Sequence, residues 1–177
     1  LKPKINHHTL DQRLLREFDQ NKNKCLKNVL SNVLIGAMVE LVLEKSGVNG
    51  EISVNQLSKD DRKKLVETIV EGIQEKKGHG IVIADLSKID GTICKYFVIC
   101  HGNSPQQVEA IAGSVSDYVR ECHGEKPINC VVLGTNQWVA IDYADVLVHV
   151  FIPETREYYD LEHLWEDAAL TQIADLD

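Results

Sequence analysis

The stretch Gln137–Ile152, QWVAIDYADVLVHVFI, constrains the fold more than any other part of the chain. Trp138–Asp142 and Val146–Phe151 are rich in aromatic and β-branched residues, the composition of a pleated, half-buried surface. Tyr143-Ala144-Asp145 between them reads as a turn, so the pair is expected to be two strands folded back on each other. In the second strand Val146, Val148 and Val150 fall on one face and Leu147 and Phe151 on the other. Both faces are apolar, so this strand belongs inside a sheet covered on both sides. Two carboxylates, Asp142 and Asp145, flank the turn, and His149 is the one polar side chain within the run. A buried histidine implies either a function or satisfied hydrogen bonds.

The elements around this hairpin follow from periodicity and punctuation. Ser58 is placed to cap a helix over Lys59–Lys77, with Leu65, Ile69 and Ile73 on its buried face and Gly78-His79-Gly80 stopping it. Ile81–Leu86 and Tyr96–Cys100 read as short buried strands. Ser104 and Pro105 open a helix expected to end at Cys122, with Val108, Ile111, Ala112, Val115 and Val119 at core spacing. Pro127–Leu133 reads as a third strand. After Pro153, Glu154–Tyr159 reads as a short strand or turn, Asp160–Ala168 as a final helix, and Leu170–Asp177 as a loosely held acidic end. The expected fold class is therefore α/β, a mixed sheet flanked by helices over 61–177, preceded by an all-helical segment over 1–60. In that segment Leu10–Phe18 and Leu26–Lys45 show helical spacing, and Gly47 is a terminator for the second. Vicinal His7-His8 lacks a third ligand nearby and reads as a solvated loop.

Charge separates the two parts. Residues 1–77 carry 14 Lys and Arg against 11 Asp and Glu, net +3, whereas residues 78–177 carry 5 against 16, net −11. The C-terminal part therefore repels phosphate backbones, so no direct nucleic-acid binding is expected of it; a basic protein surface suits it better. The five cysteines, Cys25, Cys94, Cys100, Cys122 and Cys130, lack metal-site or CxxC spacing and sit mostly in apolar runs, which points to buried thiols in a reducing cytoplasm. No run is long enough to span a bilayer and no signal peptide is evident, so no membrane contact is expected.

VETIVEGIQEKKGHGIVIADLSKIDGTICKYFVICHGNSPQQVEAIA, QWVAIDYADVLVHVF and REYYDLEHLWEDA occur in that order and resemble the ribosomal silencing factor family, also called Iojap-like proteins. The resemblance covers roughly residues 65–175. It implies a fold related to nucleotidyltransferases and a non-catalytic, cofactor-free binding function. The implied partner is a large-subunit ribosomal protein at the subunit interface, where docking would block joining of the small subunit and repress translation. Carried over by position, the implied partner-binding residues are Trp138, Asp142, Tyr143, Asp145, His149, Arg156, Tyr158 and Tyr159. The family also implies that a homodimer can form. Two positions depart from the family's pattern: Lys95 stands where an acidic residue is usual, and the loop LGTNQ before Trp138 is short.

Residues 1–64, through FDQNKNKCLKNVLSNVL and VNQLSKDDRKKLVE, instead resemble an internal helical segment of FAD-dependent two-domain flavoproteins. The GxGxxG fingerprint that would hold a dinucleotide pyrophosphate is absent, so no flavin binding is carried over. The two resemblances meet near Leu65–Thr68, within one helix.

Competing readings attach to the same residues. Trp138 on composition alone is a core residue, and only the resemblance makes it a contact residue on an accessible surface with Tyr143 and His149. Asp142 and Asp145 at a strand end could hold magnesium in a nucleotidyltransferase-like enzyme. That chemistry also needs cations for a triphosphate, and the C-terminal hundred residues hold only five. A thiol enzyme built on Cys94 or Cys100 with His101 meets a simpler objection, because adjacent strand residues point to opposite faces.

Overall fold

The computed structural model describes residues 57–90, 92, 94–165 and 167–176; the helices expected in 1–45, His7-His8 and Cys25 lie outside them. The described chain runs α1 (Lys59–Glu75), β1 (His79–Asp85), β2 (Tyr96–His101), α2 (Pro105–His123), β3 (Asn129–Leu133), β4 (Trp138–Asp142), β5 (Val146–Phe151), α3 (Pro153–Tyr159), α4 (Leu161–Leu164) and β6 (Ala169–Gln172). The strands form one sheet in the order β3-β4-β5-β2-β1-β6. It is mixed: β2 and β5 pair in parallel, and the other neighbours are antiparallel.

Local chemistry sets the helix ends. The Ser58 hydroxyl accepts the Asp61 N–H at 3.1 Å, and Asp60 and Asp61 place negative charge against the first turn of α1. Ser104 does the same for Gln107 at α2, where Pro105 occupies the first turn and Gly124, in the left-handed region at φ +67, ends the helix.

Both helices cover one face of the sheet. Leu65, Ile69 and Ile73 of α1 and Val108, Ile111 and Val115 of α2 bury against Val98, Val139, Ile141, Val146, Val148 and Val150. The helices cross closely at Gly72, where a Cβ would stand 2.9 Å from the Val115 Cα. Gly72→Ala is therefore expected to destabilise the protein by about 1–3 kcal/mol through overpacking, despite alanine's helix preference of about 1 kcal/mol. Urea unfolding would show this as a lowered midpoint.

The opposite face is covered too, as the two-sided apolar pattern of β5 requires. Leu147, His149 and Phe151, with Phe97 and Trp138, are buried on this side, as are Leu161, Leu164 and Trp165, and the Phe97 and Trp165 rings meet edge to face at 5.6 Å.

Three expectations for the C-terminal region are corrected. Glu154–Tyr159 belongs to a helix rather than a strand or turn. Pro153 presets helical φ at the first position, and Arg156 N and Asp160 N donate to Ile152 O and Arg156 O at 3.0 and 2.9 Å. These constraints override the strand preference of Tyr158-Tyr159. The tail, in turn, is not loose. Ala169–Gln172 pairs with β1 as a sixth strand, Ile173 N donates to Ile81 O at 2.9 Å, and Gly80 N donates to the Asp175 carboxylate at 2.8 Å. The last helix shrinks accordingly from Asp160–Ala168 to Leu161–Leu164. Among the described residues no helix is long and apolar enough to cross a membrane.

Candidate functional site

The hairpin β4–β5 separates the eight residues singled out from the sequence into two groups. Trp138 and Asp142, at the two ends of β4, are four residue steps apart, a span of about 13 Å. Asp142, Tyr143 and Asp145 gather at the turn, whereas Trp138, His149, Arg156, Tyr158 and Tyr159 gather at the other end, around α3.

At the turn, Asp142 accepts the Ala144 N–H at 2.7 Å, and Ala144 sits in the left-handed region at φ +65. Burial holds the Asp142 carboxyl above the usual carboxylate range, opposed by that N–H. Asp145 faces Arg62 of α1, with Nε 3.1 Å from Oδ2, and its backbone carbonyl accepts Lys95 N at 2.8 Å and Tyr96 N at 3.0 Å. Arg62 also donates twice to Leu57 O, at 3.0 and 2.7 Å. Tyr143 is 4% exposed, so the expectation of an accessible tyrosine here is corrected.

This geometry does not support the magnesium reading of Asp142 and Asp145. One carboxylate closes its own turn and the other is paired with an arginine. Among the described residues no group of three His, Cys, Asp or Glu side chains is placed to hold a metal ion. The thiol reading fails as well: burial pushes Cys94 and Cys100 up to about 12, with Asp142 and Asp145 adding to the effect at Cys94. The expectation of buried thiols holds for these two, while Cys122 and Cys130 are exposed.

At the other end, Trp138 is 2% and His149 4% exposed, so neither lies on the accessible surface expected from the sequence. The Trp138 Nε1–H donates to His149 Nδ1 at 3.1 Å. Nδ1 must therefore be the acceptor, which places the imidazole proton on Nε2, a buried atom that has no hydrogen-bond partner among the described residues. Burial pulls the His149 pKa down to about 3, so the ring is neutral. Aromatic rings enclose the pair: Phe151 stacks on Trp138 at 4.9 Å, Tyr159 meets it at 4.7 Å, and Phe97 meets His149 edge to face at 5.1 Å.

Arg156 joins α3 to the sheet. Its Nη1 donates to His101 Nδ1 at 2.8 Å, its Nε donates to Glu162 Oε1 at 2.8 Å, and Nη2 donates to the same oxygen. Burial, then the neighbouring Arg156 charge, holds His101 below the usual histidine range. Gly80, at φ +57, lets this network close, because a Cβ there would stand 2.7 Å from Arg156 Nη1. A cleft of about 410 Å³ lies beside it, lined by Val82, His101, Arg156, Glu162, Leu170 and Gln172 among others. On the outside of α3, Glu154, Glu157 and Tyr158 are exposed, with Asp160 following, and Tyr158 meets Tyr159 at 5.3 Å. Sequence reasoning missed Arg62, His101 and Glu162 as ion and hydrogen-bond partners. Gly80 next to a strand start was the one local signal of a close approach.

The family model for the ribosomal silencing factor during starvation matches residues 59–177. A second, for the HI0933-like protein barrel and H2TH domain, matches residues 1–75, so the two overlap over 59–75, the span of α1. The ribosomal silencing factor RsfS of Bacillus subtilis is 38% identical over 117 residues, covering 66% of this chain and 95% of the relative. The mouse mitochondrial assembly of ribosomal large subunit protein 1 is 31% identical over 85 residues, 45% of this chain and 37% of that protein. A crystal structure of a Chromobacterium violaceum protein superposes with a TM-score of 0.55 at 31% identity, covering 59% of this chain and 85% of that one. Fold, motif order and these matches agree: the chain belongs, through its α/β domain, to the ribosomal silencing factor family.

Proposed function

We propose that this chain represses translation in the cytoplasm by docking on a basic ribosomal protein of the large subunit and blocking association with the small subunit, without a catalytic step. The observation that carries the reading is the exposed part of α3 and its end, where Glu154, Glu157 and Asp160 accompany an exposed Tyr158. An aromatic anchor accompanied by negative charge suits a basic protein surface, the ring supplying affinity and the carboxylates speeding encounter. The net charge of −11 over residues 78–177 favours the same class of partner. The names of the relatives, a ribosomal silencing factor and a large-subunit assembly protein, support the choice of the large subunit. In this reading Tyr158, Tyr159 and Arg156 make contact and Asp142 and Asp145 contribute from the turn. Trp138, Tyr143 and His149 hold the scaffold from within.

The test is sedimentation of the full chain with isolated ribosomal subunits, scoring co-migration and subunit joining. Co-migration with the large subunit alone and reduced joining are expected. Tyr158→Ala should weaken binding by about tenfold or more, as loss of an aromatic anchor does, while leaving the thermal transition in place. Absence of co-migration, or undiminished binding by Tyr158→Ala, would sink the reading or the placement of its anchor.

A further inference from the structure

We propose that α3 is a displaceable cover over Trp138, lifting from the sheet about hinges at Ile152 and Asp160 while the six-stranded core stays folded. Four features of the fold carry this. None of the seven α3 side chains is buried, in contrast to α4, where Leu161 and Leu164 are 3% and 4% exposed. Little apolar area therefore resists its departure, the mark of a segment that opens locally. Its C-terminal end is Asp160 at φ 45 and ψ 54, a left-handed conformation that a non-glycine residue adopts at a cost. The cleft of about 410 Å³ lies between Arg156, Glu157 and Asp160 on the cover side and Val82 and Gln172 on the sheet side, so the cover is undercut. Beneath it, no acceptor among the described residues meets the buried His149 Nε2–H, a cost that a partner's carbonyl would relieve on opening.

Among the contacts that hold the cover shut are Tyr159 on the Trp138 ring at 4.7 Å, and Arg156, which bridges to His101 of β2 and Glu162 of α4. Lifting α3 breaks both and bares the indole whose N–H bonds His149. The opened face would offer an indole edge and an imidazole donor where the closed protein presents Tyr158 and carboxylates, so two different surfaces share one end of the sheet.

Hydrogen exchange by NMR on the full chain tests this, with Trp165→Phe used to assign the two indole signals. The Trp138 indole N–H is expected to exchange at least tenfold faster than the Val148 amide in the sheet centre, with little dependence on low urea, because local opening exposes little surface. Arg156→Gln should accelerate the Trp138 indole about tenfold further and leave Val148 unchanged. The proposal is overturned if the indole shares the rate and urea dependence of Val148, or if Arg156→Gln accelerates both equally, since each means that Trp138 is reached only by global unfolding. No ribosome enters the experiment, so its result is independent of the docking reading.

Discussion

Trp138→Ala is expected to destabilise the protein by about 3–5 kcal/mol, enough to lower the urea midpoint severely or to prevent folding at physiological temperature. The indole is 2% exposed, stacked on Phe151 and bonded to His149, so its removal leaves a cavity in the layer beneath α3. It also strips the acceptor Nδ1 of its donor, and since Nε2 has no partner among the described residues, the imidazole would then be buried with neither nitrogen met by them. Trp138→Phe keeps most of the ring volume and loses the hydrogen bond, for which about 1–3 kcal/mol is expected. Equilibrium urea unfolding of the two variants separates the packing and hydrogen-bond contributions. A wild-type midpoint for Trp138→Ala would mean that the indole is not packed as described, and would return it to the accessible surface that the family resemblance implies.

The second large effect is acid destabilisation through His149. Its pKa falls from 6.5 to about 3 in the folded protein, because burial disfavours the imidazolium. In the unfolded chain the ring titrates near its ordinary value, so between about pH 6.5 and 3 the unfolded state binds a proton that the folded state refuses. Stability is thus complete above pH 6.5 and declines as the pH falls, at up to about 1.4 kcal/mol per pH unit, until the folded ring itself protonates near pH 3. From pH 7 to 5 the expected loss from this group is about 2 kcal/mol. His101, also shifted down, adds a slope of the same sign, so the comparison is with His149→Gln, which retains every other titrating group. Wild type should lose about 2 kcal/mol more than this variant over that interval. The His149 ring signals should also stay at their neutral positions down to pH 4. A histidine that titrates near 6.5 in the folded protein would contradict its burial.

How far the sequence could be read depended on the range of the forces involved. The β4–β5 hairpin, the Ser104-Pro105 start of α2 and the Ser58 start of α1 rest on neighbours in the chain, and they were legible to within a residue or two. The helix α3 was misread because Tyr158-Tyr159 favours a strand while Pro153 and the Asp160 turn settle the backbone. The strand β6 was missed because Ala-Leu-Thr-Gln shows no apolar alternation; all four residues are exposed, and what makes them a strand is the free edge of β1.

The candidate site divides in the same way. Motif order and charge in the sequence by themselves determined the family, the α/β class and the acidic character of the domain, since these depend on residue identity and local period. Only the tertiary structure decided that Trp138, Tyr143 and His149 are interior, that the turn and α3 groups stand at opposite ends of one hairpin, and that Asp145 and Arg156 answer to Arg62, His101 and Glu162. Burial and pairing are set by which distant segments come to cover a residue, and neither composition nor spacing along the chain carries that information.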